Sequence, residues 1–215
     1  MARRYPLGVT KVTFGLDLPV ETVARRAAAL GFDHIDVGLD QLVGCDETTL
    51  AIPIGDRIGT MEPRPGSTTR APRQGRSWEE AVATLRSVPD VRVEPSLASV
   101  LNSNAAVLSM CAAVPGLRLT VDTGWVATWG GDPLELLPLA DHVQLRQARL
   151  GVPQVHPAEP GDVDFAAVIA RLDQLGYRGG LSVEYFNLPD LGLPLDNPIG
   201  WAVALAGVVD PLLQS

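Results

Sequence analysis

A parallel α/β barrel is the architecture predicted by this sequence, on three observations. Strand and helix signals alternate through most of the 215 residues, as they do when helices connect parallel strands. Returns from helix to strand are short, as between Leu30 and Phe32, which makes successive strands parallel with right-handed crossovers. Three strand signals end on an acid: Glu94 in VRVE, Asp122 in LRLTVD and Glu184 in LSVE. Packing explains such acids poorly, whereas catalytic groups collect at that edge of a barrel. An open doubly wound sheet would carry a glycine-rich phosphate loop after an early strand, and FGLD at 14–17 is not one.

The elements follow in order. Residues 11–16, KVTFGL, read as a first strand. A helix is expected over 19–30, with Val20, Val23, Ala24, Ala27 and Leu30 on one face, Pro19 in its first turn and Gly31 past its end. Residues 32–38 form the second strand. Short strands are expected at 50–54 and 57–61, and a loop rich in Pro, Gly, Ser, Thr and Arg at 62–76. Ser77 is an N-cap, with Glu79 and Glu80 in the first turn of a helix ending near Val88. Strands at 91–94, 117–122, 142–147 and 181–184 then alternate with helices at 103–114, 133–139 and 163–175, and a helix over 199–213 closes the chain. Leaving out the 57–61 stretch, seven strands are counted. The expectation is therefore a shortened (β/α) TIM-type barrel with one strand–helix unit in the middle reduced or missing, residues 1–215 forming a single barrel domain.

Composition narrows the function. Hydrophobic content of 46% supports a large core, and mean hydropathy of +0.15 with 20% charged residues fits a soluble protein. No apolar run is long enough to span a bilayer, and the basic N-terminus has no apolar segment of a secretory signal behind it. The expected location is the cytoplasm. A net charge of −8 argues against a nucleic-acid backbone binder. Cys45 and Cys111 are too few for a disulfide framework or zinc knuckle.

In a parallel barrel Glu94, Asp122 and Glu184 emerge on one rim. Three facing carboxylates cannot all stay ionised unaided; one takes a proton, or a cation binds. Hard divalent cations such as Mg²⁺ or Mn²⁺ prefer such oxygen ligands. The alternative is that each acid separately caps a helix or pairs with an arginine.

The order and spacing of VRVEP, DTGW, HVQLRQ, EPGDVDF, GYRGG and LSVE, with GFDHIDVG in the first half, resemble the xylose isomerase-like barrels. These include sugar isomerases and epimerases, dehydratases and an endonuclease branch. The resemblance covers about residues 12–40 and 92–185. It implies a divalent metal held by Glu94, Asp122, Gln144 and Glu184, with Gln144 where the family has histidine. It further implies that Glu94 and Glu184 are catalytic, exchanging a proton at the α-carbon of a small sugar-like hydroxy-carbonyl compound through an enediolate, in an isomerase, epimerase or related dehydratase. The family's second histidine falls on Trp125, and its Lys-Asp pair on Arg146 and Gln147. Substrate contacts are expected from Trp125, Arg146, Asn102 and His156; a solvent-facing loop position is the alternative for His156. His142 and His34 are expected to be structural. These departures also fit an alternative, a metal-free divergent barrel serving as a specialised enzyme or binding protein. An endonuclease IV-like reading is the weakest, since three histidines and a charge of −8 fit neither that branch's three zinc ions nor its basic DNA face. The implied partner is a small-molecule substrate, with neither nucleic acid nor membrane, and the dimers and tetramers common in the family leave a homo-oligomer open.

Overall fold

The computed structural model describes residues 3–59 and 63–214. Eight parallel strands close into a ring in sequence order: β1 Leu7–Thr10, β2 Ile35–Gly38, β3 Ile54–Ile58, β4 Thr68–Arg70, β5 Arg92–Glu94, β6 Arg118–Asp122, β7 Ala140–Leu145 and β8 Leu181–Val183, with β8 returning to β1. The surrounding helices are α1 Val20–Ala29, α2 Trp78–Arg86, α3 Asn104–Ala113, α4 Thr123–Thr128, α5 Pro133–Leu136, α6 Phe165–Leu175 and α7 Pro198–Leu213. No helix among the described residues is long and apolar enough to cross a membrane.

The shortening falls on connections and spares the strands. Between β2 and β3 the chain makes only 3₁₀ turns, Leu39–Leu42 and Glu47–Thr49, and no helix joins β3 to β4 among the described residues. Three assignments are corrected. The first strand is Leu7–Thr10, and Lys11–Phe14 is a 3₁₀ turn. One strand, Ile54–Ile58, replaces the two short strands at 50–54 and 57–61; Met61 lies outside the described residues. The segment read as loop holds β4, whose three residues pair with 92–94.

Local signals explain the helices. On α1, Val20, Val23, Ala24 and Ala27 are buried on one stripe. Ser77 Oγ accepts the Glu80 N–H at 3.1 Å and Glu80 Oε2 accepts the Ser77 N–H at 3.3 Å, a reciprocal cap for α2. Gly176, at φ +64°, ends α6 in the left-handed conformation that a residue without Cβ adopts cheaply.

Alternation along the strands splits the interior in two. Val9, Ile35, Val37, Val93, Leu119, Val121, Val143, Leu145, Leu181 and Val183 join the helices in one apolar core. The intervening residues face the barrel axis and are mostly polar. Asp36 Oδ2 on β2 meets His142 Nε2 on β7 at 2.7 Å, and Asp36 Oδ1 accepts the Asp56 N–H at 2.9 Å. Thr68 bonds Asp56 at 2.6 Å and Thr120 at 2.5 Å, and Arg92 pairs with Asp56. His34 Nε2 lies 3.0 Å from Ser182 Oγ, where a Cβ on Gly8, Gly55 or Gly180 would collide with its ring. Burial opposes charge on Asp36 and His142, yet their pairing prevails: Asp36 is held below the usual carboxylate range and His142 above the usual imidazole value. Burial pushes His34 down. Both histidines are thus built into the barrel floor.

Candidate active site

Two residues further along four of these strands lies a second layer. Arg92 is followed by Glu94, Thr120 by Asp122, His142 by Gln144 and Ser182 by Glu184. Because side chains repeat every second residue, all four point toward the axis at the C-terminal mouth. One carboxylate oxygen from each of Glu94, Asp122 and Glu184 lies within 4.8 Å of the others. All are buried.

Each acid has a different setting. Asp122 Oδ1 caps α4, accepting the N–H groups of Gly124 at 2.7 Å and Trp125 at 3.3 Å. Its Oδ2 accepts from Arg146 Nη2. The carboxylates of Glu94 and Glu184 take no hydrogen bond among the described residues. Burial pushes Glu94 up to about 7, opposed by the charge of Arg70 and aided by that of Asp122. Burial, then Glu94 and Asp122, pushes Glu184 well above the usual carboxylate range. Crowded acids out of water share protons rather than all ionise.

Gln144 is fully buried, and neither atom of its amide has a partner. A buried amide left open in this way is costly unless something occupies the space before it. Arg146 is also fully buried, with Nε and Nη1 unpartnered. Its guanidinium carbon sits 4.5 Å from the Trp125 ring centre and 4.6 Å from that of Phe186, within cation–π range. Gly124 makes room for it, since a Cβ there would strike Arg146 Nε. Thr123 Oγ1 ties β6 to β7, donating to Arg146 O at 3.1 Å and accepting Arg146 N–H at 3.0 Å. Gln147 holds the following loop through Val163 N–H at 3.0 Å and Val163 O at 3.1 Å.

A cavity of about 690 Å³ opens over this layer, walled by Lys11, Arg70, Glu94, Trp125, Glu184 and Phe186 among others. Trp125 lines this cavity, whereas Arg146, packed against the Trp125 ring, is not among its lining residues. Asn102 and His156 are not among the lining residues. Asn102 is half-buried before α3. His156 packs on Trp201 with ring centres 5.2 Å apart, and its Nδ1 accepts the Ala158 N–H at 3.2 Å. Sequence reasoning missed Lys11, Arg70 and Phe186. Arg70 gave no strand signal, since Thr68, Thr69 and Arg70 are three polar residues without alternation.

The oxygen donors fit a hard divalent cation. Three carboxylates supply charge within 4.8 Å, and the open Gln144 carbonyl supplies a neutral donor. Arg146 competes for one oxygen, Asp122 Oδ2, and leaves Glu94 and Glu184 free.

A closed eightfold parallel barrel with acids gathered at the C-terminal ends of its strands defines the class: a TIM-type (β/α) barrel with a carboxylate-lined mouth. The model of the xylose isomerase-like TIM barrel family matches residues 20–205, and the chain belongs to that family. No curated protein matches in sequence. Among solved structures, D-psicose 3-epimerase from Clostridium cellulolyticum H10 superposes with TM-score 0.73 at 11% identity, over 98% of this chain and 100% of that one. An L-ribulose 3-epimerase gives 0.68 at 15%, over 99% and 96%. A xylose isomerase-like TIM barrel protein from Mycobacterium smegmatis in complex with magnesium gives 0.65 at 14%, over 97% and 100%. At these identities the likeness establishes the fold.

Proposed function

We propose that this barrel is a divalent-cation-assisted isomerase or epimerase, or a related dehydratase, acting on a small sugar-like hydroxy-carbonyl compound. The observation that carries the reading is the meeting of Glu94, Asp122 and Glu184 within 4.8 Å in a buried mouth, beside an amide with no partner. Structural neighbours named as epimerases, and one named with magnesium, support it.

Glu94, Asp122, Gln144 and Glu184 would hold the cation, Mg²⁺ or Mn²⁺ by the hardness of the donors. When bound, it supplies positive charge that polarises a substrate carbonyl. Glu94 and Glu184 are the proton carriers, since neither carboxylate is committed to a backbone or arginine partner. One takes the proton beside the carbonyl, and the other returns it to the opposite face or the adjacent carbon. Asp122, fixed by α4 and Arg146, serves as a positioning anchor. Trp125 and Phe186 form an apolar wall that keeps water from the exchanging proton.

Deuterium wash-in tests this. Protein loaded with Mg²⁺ or Mn²⁺ is incubated in D₂O with ketoses, ketose phosphates and hydroxy-keto acids, and exchange at the α-carbon is followed by NMR. Exchange that needs added cation and vanishes in Glu184→Gln is the expected result. No exchange into any of these compounds by cation-saturated protein would remove the proposal.

A second reading, a metal-free barrel, draws on the Arg146–Asp122 pair, which places a permanent cation against one of the donors. Elemental analysis and cation titration separate the two readings: stoichiometric metal supports the first, and no binding after loading supports the second.

A further inference from the structure

The sequence turns basic in one place. Residues 57–76 contain five arginines and one acid, within a chain of net charge −8. Two of these arginines have no ion-pair partner among the described residues, although the charge of Arg70 opposes the upward shifts of Glu94 and Glu184. Arg57 binds Glu47 at 2.5 Å. Arg70 and Arg73, by contrast, form no ion pair with any carboxylate of the described residues, yet both line the mouth cavity.

The direction of Arg70 follows from its strand. Thr68 reaches the axis, where it bonds Asp56 and Thr120. Two residues later on β4, Arg70 points the same way, in register with Glu94 on β5. Arg73 follows on a segment pinned by an antiparallel bridge to Ser99, so its backbone position is fixed beside the opening. Lys11, the only lysine of the chain, stands in the same cavity wall with its ammonium donating to Leu16 O at 2.9 Å. The mouth therefore has an acid-rich base and a cationic wall.

We infer that the substrate carries an anionic group, carboxylate or phosphate, seated against Arg70 and Arg73 while its hydroxy-carbonyl end reaches Glu94 and Glu184. This rests on the reading of the acid cluster as the reacting end. Guanidinium forks suit both anions, and the basic segment also draws an anion toward an otherwise acidic protein.

The test measures binding apart from turnover. Inorganic phosphate, L-tartrate and neutral D-fructose are titrated into the full chain by calorimetry, with circular dichroism confirming that each variant is folded. At least one anion should saturate, and the Arg70→Gln/Arg73→Gln double variant should weaken it about tenfold or more. Arg76→Gln, exposed and outside the cavity lining, should bind as the native chain does. The anion that saturates at the lower concentration identifies the group. Native-like anion binding by the double variant, or no binding of either anion by the native chain, overturns the inference. If arginine-dependent binding holds while no compound exchanges deuterium, the proton chemistry fails and the anion site stands. If neutral ketoses exchange with a KM that Arg70→Gln leaves unchanged, the anion site fails and the chemistry stands.

Discussion

The floor of the barrel and its mouth are built from the same strands, two residues apart, and differ in how far their polar groups are satisfied. At the floor, Asp36 has His142 and a backbone amide, Asp56 has Thr68 and Arg92, and His34 has Ser182. At the mouth, Glu94 and Glu184 have no hydrogen-bond partner among the described residues, Gln144 has an open amide, and Arg146 has two open nitrogens. A polar group buried with its partners specifies structure; one buried without them marks a place where something else binds. Both layers are charged, so charge alone would not tell them apart.

The comparison can be broken most directly at Glu184. Under the proposed proton exchange, Glu184→Gln should lower turnover by roughly two to four orders of magnitude with the melting temperature little changed. At the floor the pattern should invert. His142→Ala strips Asp36 of its main partner and should cost about 3–5 kcal/mol in denaturant unfolding. If the mouth variant unfolds the protein and the floor variant does not, the two layers have been misassigned.

The pH dependence sharpens the contrast. Glu94 titrates near 7 when folded, above its unfolded value. The folded state then holds more protons between the two values, so stability falls as pH rises through that window and is lowest above about 7. In cation-free protein, Glu94→Gln should therefore be stabilising at pH 8, on the order of 2 kcal/mol, with the gain vanishing toward pH 5. A gain that grows in acid would contradict this. The smallest effect concerns Gln144. Gln144→Leu removes an unpaired buried amide and should stabilise the cation-free fold by roughly 1–2 kcal/mol while weakening cation binding. Equal loss of stability with and without cation would mean that the amide has a partner in the fold.

Much of this was legible in the chain. Alternating strands and helices from β5 to β8, the Ser77 cap and the Gly176 stop are local signals, and local physics sets them. The three acids could be gathered because parallel strands deliver their ends to one rim. β4 was invisible because it is three residues long and Thr68, Thr69 and Arg70 are all polar, so no apolar period marks it. The first strand was misplaced because Gly8 and Thr10 face the axis, while Val12 and Phe14 in the turn that follows keep up the same alternation of apolar and polar residues. The depth of Arg146 could not be read either. A buried arginine depends on Trp125, Phe186, Gly124 and Asp122 arriving together from separate elements.

The lack of a helix after β2 and after β3 among the described residues has a mechanical consequence. Among the described residues, β3 and β4 are held by a single registered pair, Ile58 with Thr68, and neither the β2–β3 nor the β3–β4 connection shows a covering helix. Elsewhere the ring is backed by helices on the outside. Amide hydrogen exchange should accordingly run fastest at this seam and slowest along β6 and β7. The seam carries Arg70, so the wall proposed to meet an incoming anion is also the stave of the ring best able to breathe.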